Sequence, residues 1–251
     1  MKDCLWDVPA HFPQMTGDDI HLWRAHLDEA YGNESLITRI SADERCRADR
    51  LQKPGDRALF VLAHTMLREV LGCYLGLTPS EIMLETGACG KPRLAWQHGS
   101  SLQFSLSHSG RLALLGISQR REIGVDVEAA VPHDDLANVA AHFFSPGERT
   151  ALARVGDTDR SDLFYMLWTR KEACVKAWGK GLQIPLHGFS VLPSTDAWTE
   201  SPILCPDVDT QTLGYCRSVP VPEGYAAAVA VAGSGSRLSC RHWSAVSLRQ
   251  R

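Results

Sequence analysis

The stretch LQFSLSHSGRLALLGISQRREIGVDVE, Leu102 to Glu128, decides the fold class. Alternating and β-branched apolar positions predict strands over Leu102 to Leu106 and Leu112 to Ile117, joined by Ser107-His108-Ser109-Gly110. A third strand, Ile123 to Glu128, follows with no room for an intervening helix. Strands in direct succession are antiparallel, so a doubly wound parallel sheet is excluded here.

Long helices flank this region. Leu59, Phe60, Ala63, Met66, Leu67, Val70, Leu71 and Tyr74 recur at spacings of three and four, between a Pro54-Gly55-Asp56 start and a Gly76 stop. Thr78-Pro79-Ser80-Glu81 reads as a capping box opening a short helical turn, and Ser145-Pro146-Gly147-Glu148 as another, opening a helix through Arg154. The Gly156-Asp157-Thr158-Asp159 loop precedes a long helix from about Ser161 to Trp178, stopped by Gly179 and Gly181. Strands are predicted again over Phe189 to Leu192, Leu213 to Val219 and Tyr225 to Val231. The pattern is α+β, with a division near Ile117 to Ile123 that splits the chain into parts 1–118 and 119–251.

Composition bounds the chemistry. Of 251 residues, 44% are hydrophobic and 22% charged, so one large or two smaller domains with real cores are affordable and disorder is excluded. No stretch reads as long enough in apolar residues to cross a bilayer, and the N-terminus lacks a signal-peptide core. With 26 basic against 29 acidic residues the net charge is -3, which disfavours broad binding to nucleic acid or to an anionic membrane. The eight cysteines form no CxxC or zinc spacing and read as reduced thiols of a cytoplasmic protein.

Four constellations carry chemistry. In strand 123–128, Ile123, Val125 and Val127 share one face, while Asp126 and Glu128 share the other with Cα atoms about 6.5–7 Å apart. Two such anions repel unless a cation lies between them, and hard oxygen ligands suit Mg²⁺ beside substrate phosphates; an exposed, solvated strand end is the alternative. In the 161–178 helix, Lys171 falls in the apolar stripe of Phe164, Leu167, Trp168, Val175 and Trp178. Its ammonium must reach water or an anion. Glu172 and Lys176 border a polar pocket beside it or form a surface i,i+4 ion pair. Lys91, with Ser107 and His108 in a tight turn, can bind phosphate oxygens, or be loop polarity alone. Arg45, Arg47, Arg50, Lys53 and Arg57, interleaved with acids, make either a phosphate site or an ion-paired helix. Glu148 is first of all the capping partner of Ser145.

In order and spacing, Gly90-Lys91-Pro92, Phe104 through Gly110, Gly124-Val125-Asp126-Val127-Glu128, Phe143-Phe144-Ser145-Pro146-Gly147-Glu148 and Trp168 through Lys176 with Gly179-Lys180-Gly181-Leu182 together resemble the 4′-phosphopantetheinyl transferases. The likeness is to the larger, monomeric Sfp-type branch and runs from Ser41 to Val231. It implies two similar α/β halves about a pseudo-twofold axis, with coenzyme A in a cleft between them. It also implies transfer of 4′-phosphopantetheine to a serine of an apo acyl or peptidyl carrier protein, releasing 3′,5′-ADP. By motif match Asp126, Glu128 and Glu172 hold Mg²⁺; Lys91, Ser107 and His108 contact coenzyme A phosphates; and Lys176 lies against the pyrophosphate. Arg47 and Arg57 fall near the 3′-phosphate, although the family's usual phosphate-binding arginine is replaced here by Leu59. Glu148 and Glu172 are the acidic candidates for the serine proton, with Glu172 preferred. Two other classes share these residues: a Mg²⁺-dependent nucleotidyl transferase or pyrophosphohydrolase, and a degenerate coenzyme A or carrier-protein binding module.

Overall fold

The computed structural model describes residues 6–9, 11–27, 33–87, 89–131, 135–194, 201–204, 213–233 and 235–244. Its strands are β1 (Asp19–His26), β2 (Leu84–Thr86), β3 (Pro92–Leu94), β4 (Leu102–Ser109), β5 (Leu112–Gln119), β6 (Ile123–Ala129), β7 (Ser201–Leu204), β8 (Leu213–Ser218), β9 (Tyr225–Ala232) and β10 (Arg237–His242). The α-helices are α1 (Asn33–Ile37), α2 (Ala42–Ala48), α3 (Pro54–Leu75), α4 (Leu136–Phe143), α5 (Pro146–Arg154) and α6 (Asp157–Trp178). The mixed α+β class read from the sequence is the one observed.

Two compact units divide the chain: Lys2–Thr86 with Pro92–Arg120 and Ser236–Arg251, and Gly87–Lys91 with Arg121–Gly235. The division is therefore not a single cut. β10 pairs in parallel with β1 and carries the far end of the chain into the first unit, whose sheet order is β10-β1-β5-β4. The second unit has the sheet β6-β9-β8-β7. Taken separately, each unit has a first strand (β1 or β6), a later 22-residue helix (α3 or α6) and then antiparallel strands (β4–β5 or β7–β8–β9), of which β5 or β9 returns beside the first.

Local signals set the helices. Pro54 opens α3 and Gly76, at φ 69°, closes it; the same left-handed stop at Gly179, φ 66°, ends α6. Both capping boxes form, at Thr78/Glu81 and Ser145/Glu148, and a third forms at Ser41/Glu44. In the first unit α3 buries Leu62, Met66 and Leu67 against Trp23, Phe104 and Leu115. α3 does have the length and apolarity of a membrane span, contrary to the reading above, but 67% of that window is buried, as expected of a core helix. Glu44 lies under it: burial pushes its carboxyl up, but hydrogen bonds from His64 and Arg68 outweigh this and hold it at about 2.

The sequence reading differs from the structure at several places. The β4 ladder runs on through Ser107-His108-Ser109, with Ser109 opposite Leu112, so the hairpin turns at Gly110-Arg111 alone. Gly110, at φ 59°, supplies the left-handed position such a two-residue turn favours. α6 begins at Asp157, four residues earlier than predicted, with Gly156 as its N-cap. Phe189 to Leu192 is not a strand, because side chains of α5 and α6 take its backbone groups. Cys240 is disulfide-bonded, so the reading of all eight cysteines as thiols fails there; Cys46, Cys73, Cys89, Cys174 and Cys216 are free, and Cys4 and Cys205 lie outside the described residues.

One glycine sets the spacing of the second unit. A Cβ on Gly124 would lie 2.0 Å from the Ala173 carbonyl oxygen and 2.4 Å from the Ala177 nitrogen, both backbone atoms of α6. Gly124→Ala therefore forces β6 and α6 apart and is expected to cost about 3 kcal/mol, at the upper end for overpacking. Urea denaturation checks this, and a loss below about 1 kcal/mol would mean the two elements separate easily.

Candidate active site

β6 and α6 build the site. Ile123, Val125 and Val127 are fully buried on one face of β6, as the alternation required. The other face is not a solvated strand end: α6 packs on it at Gly124, leaving Asp126 3% exposed and Glu128 half-buried. The partner strand β9 places Ala228 and Ala226 opposite the two acids, which keeps neighbouring side chains short.

From α6, Lys176 reaches across and its Nζ donates to Asp126 Oδ1 at 2.7 Å. The ammonium is thus directed to β6 rather than held in a simple i,i+4 surface pair with Glu172. Glu172, one turn back on α6, has its carboxyl pushed up by burial and then by the negative charge of Asp126, with Lys176 pulling the other way. Burial and then Glu128 raise the Tyr165 phenol, whose hydroxyl donates to the Val131 carbonyl at 2.7 Å. Tyr165 beside Glu128 escaped the sequence reading, since nothing in the pattern tells which α6 side chain meets the end of β6.

Lys91 belongs to this unit and not to the N-terminal part. Its Nζ donates to Glu122 Oε2 at 2.8 Å and to the Ile123 carbonyl at 3.0 Å, at the entrance to β6.

Glu148 is placed elsewhere. It is fully buried, and its Oε2 accepts from the Ser145 amide at 2.8 Å and from Lys171 Nζ at 2.9 Å. Its Oε1 accepts from the Val191 amide at 2.8 Å. Lys171, equally buried, donates to the carbonyls of Leu186 and Phe189, both at 2.7 Å. Lys171 therefore neither snorkels to water nor faces a ligand. A carboxylate closed in on every side has no path to a substrate hydroxyl, so Glu148 is corrected from a catalytic candidate to a structural anchor.

In the other unit, Ser107 is 9% exposed and His108 is exposed on consecutive positions of β4. Their side chains leave opposite faces of the strand rather than converging in a turn. The His108 ring meets the edge of Phe60 at 6.2 Å, and Phe60 stacks on His64 at 4.0 Å. Arg47 is exposed on α2, and Arg57 Nη2 pairs with Asp49 at 2.9 Å. Leu59, at the position where the resemblance leads one to expect an arginine, is 4% exposed in the core.

Among the described residues no three His, Cys, Asp or Glu side chains converge as a ready metal cage. The donor chemistry nonetheless fits Mg²⁺, which takes oxygen ligands and binds through one or two carboxylates with substrate phosphates and water. Asp126 and Glu172 are coupled electrostatically, with Glu128 next along the same face of β6.

A family model described as the 4′-phosphopantetheinyl transferase superfamily matches residues 122–230, the segment holding this constellation. The chain is 38% identical over 174 residues to the 4′-phosphopantetheinyl transferase HetI of Nostoc sp. strain PCC 7120, covering 68% of this chain and 73% of HetI. The chain belongs to the 4′-phosphopantetheinyl transferase superfamily. Among its Sfp-type relatives is the 4′-phosphopantetheinyl transferase Sfp of Bacillus subtilis strain 168, 31% identical over 200 residues that span 80% of this chain and 85% of Sfp. AcpT of Salmonella typhimurium strain LT2 is 34% identical over 134 residues, covering 53% of this chain and 66% of AcpT. The enzyme class of this phosphopantetheinyl transferase follows from these relatives.

Proposed function

We propose that the chain transfers 4′-phosphopantetheine from coenzyme A to the serine hydroxyl of an apo acyl or peptidyl carrier protein, giving the holo carrier and 3′,5′-ADP. The observation that carries this reading is the meeting of Asp126 on β6 with Lys176 and Glu172 on α6, in a chain of this superfamily. The serine oxygen attacks the pantetheine-side phosphorus, the phosphorus–oxygen bond to the ADP portion breaks, and the serine proton leaves to a carboxylate. Glu172 takes that proton, directly or through water. Lys176 lies against the pyrophosphate and offsets charge on the leaving ADP. Asp126, Glu128 and Glu172 would hold Mg²⁺, which supplies charge neutralisation at the pyrophosphate when bound.

Lys91 contributes a phosphate contact from the entrance to β6, while the exposed His108 and Arg47, with Arg57, contribute other coenzyme A contacts; Ser107, on the opposite face of β4, is not placed with His108. The recurrence of a strand, a 22-residue helix and following antiparallel strands in each of the two units supports the reading of two similar halves. A cytoplasmic monomer is proposed with it.

An intact-mass assay tests the reading directly. Incubated with coenzyme A, Mg²⁺ and a panel of apo carrier proteins, the enzyme adds one phosphopantetheine arm to at least one carrier, and EDTA abolishes the gain. Turnover of a nucleoside triphosphate without a carrier would favour a nucleotidyl transferase or pyrophosphohydrolase. Coenzyme A binding with no transfer to any carrier would favour a binding module.

A further inference from the structure

We propose that the second unit holds a binding site for an organic cation, between the first half of α6 and the adjoining ends of β8 and β9. A cavity of about 600 Å³ opens there, and its described lining residues all belong to that unit.

The base of the cavity carries an unsatisfied polar atom. Ser218 on β8 pairs with Ala228 on β9, and Ala228 pairs with Asp126 on β6. Residues directly opposite one another share a sheet face, so Ser218 points to the same face as Asp126, the one that α6 covers. Ser218 lines the cavity, is 6% exposed, and its Oγ has no hydrogen-bond partner. A hydroxyl so buried costs free energy until a donor or acceptor meets it, and a ligand that reaches the base supplies one.

The walls leave room for an apolar body. Ala226, opposite Glu128 on the same sheet face, contributes a single carbon, so α6 and β9 do not fill the space between them here. Met166 of α6, unbranched and polarisable, makes an adaptable wall.

Charge fixes the sign of the occupant. Asp162 and Glu223 line the cavity and both are exposed, which places them at its mouth. Among the described residues neither carboxylate has an ion-pair partner, and no lysine, arginine or histidine lines the cavity. Tyr165 and Tyr225 line it as well, and the negative face of a phenol ring attracts an ammonium group. The phosphates of coenzyme A would be repelled by the same two carboxylates. The occupant is therefore an amine protonated at neutral pH, with an apolar body and a polar group at the end away from its charge.

The site is separate from the chemistry proposed above. Asp162 precedes Glu172 by ten residues on α6, about 15 Å at 1.5 Å per residue, and no residue assigned to the transfer reaction lines the cavity.

Calorimetry with small probes tests the site. The amines are tyramine and its longer homologue hydroxyphenylbutylamine; hydroxyphenylethanol is the neutral analogue, hydroxyphenylpropionate the anionic one, and phenethylamine lacks the hydroxyl. At least one hydroxyphenyl amine is expected to bind about tenfold or more tighter than the neutral alcohol, with no measurable binding of the anion. Asp162→Asn/Glu223→Gln should bring amine and alcohol to equal affinity, and Ser218→Ala should bring tyramine to the affinity of phenethylamine. No binding of either hydroxyphenyl amine at millimolar concentration overturns the proposal. So do equal affinities for amine and alcohol in the wild-type protein, or full amine affinity kept in both variants, each with the wild-type circular dichroism spectrum. Displacement of the bound amine by coenzyme A also overturns it, because the cavity then belongs to the co-substrate. Failure to modify any carrier protein overturns the transfer reading and leaves this site standing, since the two share no assigned residue.

Discussion

Glu148→Gln destabilises the protein by about 3–5 kcal/mol, although the change replaces one oxygen by a nitrogen of similar size. Glu148 and Lys171 are both 0% exposed, so the lysine left behind keeps a buried positive charge with two carbonyls and, among the described residues, no anion. Burial already pushes the Lys171 ammonium down, and the charge of Glu148 is what opposes that shift. The new amide also presents two donors where Glu148 accepts from the Ser145 amide, the Val191 amide and Lys171. With a total stability of about 5–15 kcal/mol usual for a folded protein, the loss takes a large share of it. Lys171→Met should cost less than Glu148→Gln, because the carboxylate retains two backbone donors. The pair Glu148→Gln/Lys171→Met should recover part of the loss, since neither buried charge then remains. Urea denaturation of all four proteins measures the cycle; a single Glu148→Gln loss below about 1 kcal/mol would mean that the pair is not dry.

This ion pair also marks how far the sequence could be read. The Ser145/Glu148 capping box is a local pattern and was legible, as were the Gly76 and Gly179 helix stops, because the interactions lie within a few residues. That the same Glu148 side chain also holds Val191 and Lys171 depends on segments 23 and more residues away, and no periodicity reports it. Lys171 in an apolar stripe required water or an anion; the sequence could not say which, nor name the anion as Glu148. Phe189 to Leu192 carries an alternation suited to a strand, yet its backbone is satisfied by charged side chains from two helices instead of a ladder. β10 went unread for a similar reason, since its partner β1 lies more than 200 residues earlier and the pairing is set by the whole unit.

The candidate site divides along the same line. Asp126 and Glu128 share a face of β6 because strand period is two, and that followed from five residues. Gly124 gives the physical reason those carboxylates meet α6 at all: any side chain there would collide with the helix backbone. The approach of Lys176 to Asp126 follows from this contact and not from the i,i+4 spacing of Glu172 and Lys176. Ser107 and His108 show the converse. Their neighbouring numbers suggested a turn that gathers donors, but a strand continued through them sends the two side chains apart.

Glu172→Gln should abolish transfer while making the metal-free protein more stable. Removing a carboxylate that accepts the serine proton and borders the pyrophosphate is expected to lower kcat by about a thousandfold, the scale of losing a general base together with a charge that aligns the reactants. The gain in stability follows from the sign of the pKa shift. Burial and the neighbouring Asp126 charge raise the folded-state pKa of Glu172 above its ordinary 4.5. Between the ordinary value and the raised one, the folded state holds the proton that the unfolded chain has released, so stability contributed by this group falls as pH rises. Above the raised pKa the full cost of keeping the ionised side chain buried beside Asp126 is present, and a neutral glutamine is free of it. Thermal unfolding in EDTA should therefore show a higher Tm for Glu172→Gln at pH 7, with the difference closing as pH falls below about 4.5. A side chain whose ionised form weakens the fold and is retained nevertheless is the pattern expected where function sets the residue. Wild-type turnover in the variant would remove Glu172 from the reaction. Lower stability at pH 7 would mean instead that Lys176 outweighs Asp126 and that the carboxylate serves the fold.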